Sequence, residues 1–210
     1  PICLHRYAEV WSLAWSPDGG RIATCSEDQS TRVWLVEPTS GGEERKGSER
    51  FSLSLLHAIT GEHSLAVTCL DWRTVYIPRR FLGDRDEVAG SGGGGDGMEE
   101  KAAGDVGVDG EELCPVAVLA TSSDDKLLHL YLTGGGRDGS THAPIRLLSL
   151  QASQSGDPLG FETITYLVLV PRGPSQVALI AFASEAGYLY LHEVGGVRLF
   201  SQKIHRGSVE

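Results

Sequence analysis

A hydroxyl, an imidazole and a carboxylate recur in this chain at spacings that either a nucleophilic centre or a structural hydrogen-bond chain could use. The first set is His5, Thr24 and Asp28, followed by Trp34. A hydroxyl–imidazole–carboxylate triad is recognised by geometry rather than by inventory, and it needs room for a substrate carbonyl and oxyanion donors. Here an indole takes that room. The alternative uses all four residues: a mostly buried indole N–H, hydroxyl and imidazole each need a partner, and one chain of bonds ending in a solvated carboxylate supplies them. The set is therefore read as a clip that ties a loop to strands.

The clip requires strands to position it, and the sequence around it is helix-free. Residues 10–15 (VWSLAW), 21–26 (RIATCS) and 31–34 (TRVW) are short runs rich in β-branched, aromatic or alternating apolar residues, with turn signals between them. The first turn is SPDGG, in which Pro17 presets φ while Gly19 and Gly20 admit positive φ. Residues 26–30 (SEDQS) make the second. After a polar connection, the alternating run 51–55 supplies a fourth strand.

The pattern then repeats. His63 stands four residues before the run 67–72 (VTCLDW), and the stretch 116–125 lines up with 21–28 so that Thr121 matches Thr24 and Asp125 matches Asp28. Six residues beyond each Asp comes an aromatic anchor, Trp34 and then Tyr131, whose O–H can enter the same network with a different reach. Residues 145–150 close the second unit. A worn third unit has runs at 164–169, 177–182, 188–192 and 197–200, with Phe182 in the Thr place, Ala186 in the Asp place and His192 in the Trp place. It must rest on packing alone. His205, four residues before Val209, opens a fourth.

This set of positions resembles the WD-repeat (WD40) β-propeller family, whose blades place a His ahead of the first strand, a Ser or Thr in the second, an Asp in the following turn and a Trp in the third. His5 lies five residues before Val10 rather than four, which lengthens that loop by one. The resemblance covers nearly the whole chain outside the insertions. It implies an all-β, partial β-propeller of four-stranded antiparallel blades: blade one about 5–57, blade two about 61–151, blade three about 160–203, and the start of a fourth about 204–210. Three blades cannot close a ring that needs roughly four to eight, and a chain that starts at Pro1 and stops in mid-pattern reads as a fragment.

Composition narrows the function classes. Of the net charge of −10, the stretch 83–112 carries ten acidic and two basic residues, leaving a body near −2. That stretch also holds ten glycines. Low hydrophobicity and acidic charge cannot offset the entropy of ordering, so it reads as a disordered acidic Gly-rich insertion between two strands. No basic stripe suits nucleic acid. No apolar run is long enough to span a bilayer, and nothing marks a signal peptide. Four cysteines at 3, 25, 69 and 114 show no metal-ligand spacing, and Cys25 and Cys69 fall in strands, where a thiol packs as a small hydrophobe. Neither a disulfide framework nor a metal is expected, and with no Asn in the chain an intracellular setting, cytoplasmic or nuclear, fits.

Other motifs carry less. GSGGGGDG at 90–97 contains a loose GxGxxG, but it lacks the preceding strand and following helix that aim N–H groups at phosphate. Arg79-Arg80 is faintly similar to paired arginines of phosphoinositide-binding propellers, in the wrong order, and reads as a solvated turn. His57, His129 and His142 are scattered, at surface or strand positions. In the family, Val10, Leu13 and Trp15 would face sheet packing, while residues flanking the first apolar anchor border the channel mouth. The resemblance places there Glu9 and Trp11, Ala66 and Thr68, Thr163 and Thr165, and Ser208 and Glu210. A Trp beside acidic groups suits a protein-binding hot spot. The function so implied is a non-catalytic scaffold or adaptor that binds other proteins or peptides within a multi-subunit complex, with no cofactor. The alternatives are an enzyme whose channel residues come from further blades, or a phosphoinositide-binding propeller.

Overall fold

The computed structural model describes residues 8–39, 50–82, 112–134, 143–151 and 163–205. These form twelve strands in three antiparallel sheets of four, each sheet built from strands consecutive in the chain. Sheet one holds β1 (Val10–Trp15), β2 (Arg21–Ser26), β3 (Thr31–Thr39) and β4 (Arg50–Ile59). Sheet two holds β5 (Val67–Pro78), β6 (Leu113–Ser123), β7 (Leu127–Leu132) and β8 (Ile145–Gln151). Sheet three holds β9 (Ile164–Val170), β10 (Leu179–Ser184), β11 (Tyr188–Glu193) and β12 (Arg198–Lys203). His5 and His142 lie outside the described residues, as do 83–111 of the acidic insertion and, with them, the glycine motif at 90–97.

The sheets stack through the apolar residues on their facing sides. Ala23, Cys25 and Val33 of sheet one pack on Val67, Leu70, Trp72, Leu119 and Tyr131 of sheet two. The opposite face of sheet two, with Val118, Ala120, Leu128 and Leu130, packs on Leu167, Leu169, Ile180, Phe182 and Tyr190 of sheet three. Registers align the three sheets residue by residue. Leu13, Leu70 and Leu167 sit opposite Thr24, Thr121 and Phe182, and Trp15, Trp72 and Leu169 sit opposite Ile22, Leu119 and Ile180. Burying an aliphatic or aromatic side chain of this size contributes about 1.5–3 kcal/mol, so these faces dominate the stacking energy.

Against the expectation that Val10, Leu13 and Trp15 face sheet packing, all three are exposed, Trp15 at 51% against 2% for Trp72. They lie on the face of sheet one turned away from sheet two, and no described sheet packs there. Strand boundaries also differ from the sequence pattern. β4 continues past Leu55 to Ile59, and β5 runs on past Trp72 to Pro78, pairing with Leu113–Val116 across the insertion. Val75, Ile77, Cys114 and Val116 of this stem are buried. A 3-10 turn, Arg79–Phe81, caps it, and the Arg79 N–H donates to the Glu112 carbonyl at 3.0 Å.

Candidate functional site

Each inner strand carries the same irregularity. The ladder between first and second strands skips one residue: Trp11 between Val10 and Ser12, Thr68 between Val67 and Cys69, Thr165 between Ile164 and Tyr166. Such a bulge bends the strand and re-aims a side chain, and it favours rims and functional sites. Just before the bulge, the carbonyls of Glu9, Ala66 and Thr163 accept the N–H of Glu27, Asp124 and Glu185 at 3.0, 3.1 and 2.9 Å. The second-to-third-strand turns are thereby tied to the same end of every sheet.

Those turns share one geometry. Residues Gln29 (φ 67°), Lys126 (φ 71°) and Gly187 (φ 86°) occupy the left-handed region at the same place, each donating its N–H to the carbonyl of Ser26, Ser123 or Ser184. The three serines are wholly buried, and their hydroxyls accept from Asp28, Asp125 and Tyr188 N–H at 3.2, 3.2 and 3.3 Å. This serine position was missed in the sequence, although it is invariant across the three units.

The proposed clip residues meet in sheet two. His63 Nε2 lies 3.0 Å from Thr121 Oγ1, while its Nδ1 lies 3.1 Å from Asp125 Oδ2. Asp125 also accepts from Ser64 N–H at 2.9 Å and Leu127 N–H at 3.0 Å. Burial alone would raise the Asp125 carboxyl, but the two backbone donors and His63 hold it below the usual carboxylate range. His63 moves down, because burial outweighs the attraction of Asp125. In sheet one, the Trp34 indole N–H donates to Thr24 Oγ1 at 2.9 Å. Asp28 accepts from Ser30 and, at 3.0 Å, from Arg32.

Tyr131 stands in the place of Trp34, buried in the seam with sheet one, with its hydroxyl beside that of Thr121. Tyr131 is in register with Leu119, two residues from Thr121, as Trp34 is with Ile22 and Thr24. The indole spans that offset sideways from its five-membered ring, whereas the phenol carries its oxygen at the far tip. Burial pushes the phenol up. His129, left unassigned by its sequence context, is also buried, its ring centroid 4.3 Å from that of His63. Burial, then His63 and Arg146, lower it to about 4.

In sheet three, Phe182 stacks on Tyr190 with centroids 4.9 Å apart, and His192 lies 5.2 Å from Phe182. Aromatic packing fills the place of the clip.

Of the rim positions, Glu9 is exposed and Trp11 is 54% exposed. Ala66, Thr68, Thr163 and Thr165 are half-buried. The Thr68 hydroxyl donates to the carbonyls of Ser122 and Ile164, and the Cys69 thiol to that of Thr165, so these positions serve the seam between sheets two and three. Ser208 and Glu210 lie outside the described residues. Arg79, expected in a solvated turn, pairs with Glu112 at 3.1 Å. Among the described residues no three His, Cys, Asp or Glu side chains could hold a metal ion, and no helix is long and apolar enough to cross a membrane.

Residues 2–34 match the family model described as WD40: WD domain, G-beta repeat. No curated protein matches the sequence. Similar solved structures include "Crystal Structure of Mitotic Checkpoint Complex", with TM-score 0.54 and 14% identity over 98% of this chain and 40% of that one. "Crystal structure of RRP9 WD40 repeats" and "Structure of U3-55K" each give TM-score 0.52 and 14% identity over 97% of this chain, covering 41% and 42% of theirs. The chain thus spans about two fifths of the structures it resembles, and the likeness is one of fold: three blades of a WD40-repeat propeller.

Proposed function

We propose that these three WD-repeat blades belong to a non-catalytic scaffold or adaptor that binds protein partners through the rim formed by the bulged inner strands. The supporting observation is the repeated bulge, which sets Trp11, Thr68 and Thr165 at equivalent places beside turns tied to Glu9, Ala66 and Thr163. Glu9 and Trp11 contribute most, since they are the exposed members of that set.

The rim is acidic. Glu27, Asp124 and Glu185 occupy the same turn position in the three blades, with Glu9 beside them. Burial, then Glu185 and Asp125, raises the Asp124 carboxyl, a sign of like charges held close. Such a rim suits a partner segment carrying Lys or Arg, with Trp11 as its aromatic contact. One similar fold comes from a structure titled as a complex, which agrees with a role inside a protein assembly. The reading places the protein inside the cell, without nucleic acid or cofactor.

The test is affinity capture with the wild-type chain and with Trp11→Ala combined with Glu9→Gln, alongside thermal unfolding. Loss of partners at unchanged Tm is expected, and the capture should weaken as salt rises. An unchanged set of partners with the fold intact would contradict the rim as the binding face.

A further inference from the structure

The outer end of the seam between blades one and two contains a cavity of about 380 Å³, lined by the consecutive residues 56–60 of blade one and by Glu62, Tyr131, Ala143, Pro144 and Arg146 of blade two. Its volume is at the lower end of the range for ligand pockets and leaves room for a side chain of a partner. Three features of the lining define what could enter.

The first is an open strand edge. β4 is the last strand of its sheet and pairs only with β3 among the described residues, so four successive residues of an edge strand, 56–59, border the cavity. An extended peptide can pair with such an edge through its main chain. The second is unsatisfied polarity. Tyr131, 2% exposed, lines the cavity, as does His57, whose buried Nε2 is without a hydrogen bond among the described residues. Buried polar atoms of this kind call for a partner. The third is charge. Arg146 is half-exposed and bonds Glu62 through one guanidinium nitrogen, Nη1. A guanidinium has five N–H donors in a planar fork. The lining therefore offers donors from Arg146 beside the apolar surface of Leu56, Ile59, Ala143 and Pro144.

We propose that this seam is a second docking site, which takes an extended peptide presenting one apolar side chain to the cavity and an adjacent carboxylate to Arg146. The main chain of the peptide lies along β4, its apolar side chain contacts Leu56 and Ile59, and its carboxylate occupies the guanidinium donors that Glu62 leaves open. The site is on the circumference of the blades and uses none of the rim residues, so either site can exist without the other.

The probe is a pair of fluorescein-labelled hexapeptides on the full chain, one with a central leucine followed by aspartate and one with lysine in place of the aspartate, followed by fluorescence anisotropy. The acidic peptide should bind at least tenfold more tightly than the basic one. Ala143→Trp, which fills the mouth from an exposed position, and Arg146→Gln should each weaken it tenfold or more, whereas Trp11→Ala should leave it unchanged. Unfolding curves establish that the variants fold, and because the two substitutions act independently, one folded variant is enough. Protection of β4 amides on adding the acidic peptide would place it on the edge. Absent binding, equal binding of both peptides, or binding insensitive to the folded seam variants overturns the proposal. Loss of binding in Trp11→Ala with the seam variants unaffected would assign the peptide to the rim instead.

Discussion

Blades two and three share one turn and inner-strand geometry and carry opposite chemistry at its centre. In blade two, His63, Thr121 and Asp125 join the loop before β5 to the turn after β6 by hydrogen bonds. In blade three, Phe182 replaces the Thr, Ala186 replaces the Asp, and Phe182, Tyr190 and His192 pack as rings. Yet the turn, its left-handed residue, its buried serine and its bond to the inner strand are the same in both. The blade is thus set by strand register, the serine-capped turn and burial of the sheet faces. The polar clip is one way of filling the site between loop and strands, and aromatic stacking is another.

That comparison can be broken by removing each anchor. Phe182→Ala deletes a buried ring that touches two others and should cost about 4 kcal/mol. Asp125→Ala leaves His63 and two backbone N–H groups without their acceptor and should cost about 3 kcal/mol. Both are measured by urea unfolding. If Asp125→Ala proved the costlier of the two by a wide margin, the polar clip would be the main determinant of the fold and blade three an exception.

The smaller effect concerns pH, and it belongs to blade two. His129 is held at about 4, facing His63, Asp125, Glu62, Arg146 and Tyr131. A His whose folded value lies below its unfolded value near 6.5 binds protons more readily when unfolded, so its stabilisation is present above 6.5 and is lost as pH falls toward about 4. The loss should reach about 2 kcal/mol by pH 5. His63, lowered in the same direction, adds to it, and Asp125 adds a further loss at lower pH, as its carboxyl is protonated. His129→Leu should flatten this acid limb while changing stability at pH 7 much less. An identical acid limb in the variant would show that His129 titrates normally.

Much of the fold was legible because most of its strands lie within short loops of their partners. Alternation located β1 to β3, and the offset from Thr24 to Asp28 to Trp34, repeated from Thr121 to Tyr131, aligned two blades. What was not legible depended on distant chain. Residues 73–78 alternate as a strand, but their partner, Leu113–Val116, lies beyond the insertion, so they read as connection. The bulges at Trp11, Thr68 and Thr165 leave no mark in composition. Burial of His129 follows from stacking of one sheet on the next. The position of Thr68 assigns it to the rim, and only the neighbouring strand reveals that its hydroxyl is also bound to Ile164.

The central claim, that one blade geometry recurs whether its centre is polar or aromatic, is tested most directly by amide hydrogen exchange at Glu27, Asp124 and Glu185. Their N–H groups donate to Glu9, Ala66 and Thr163 in blades one, two and three. All three should be protected well beyond exposed-loop rates, with Glu185 in the clip-free blade protected alongside Asp124. Exchange of Glu185 at the rate of an unstructured loop, while Asp124 remained protected, would contradict it.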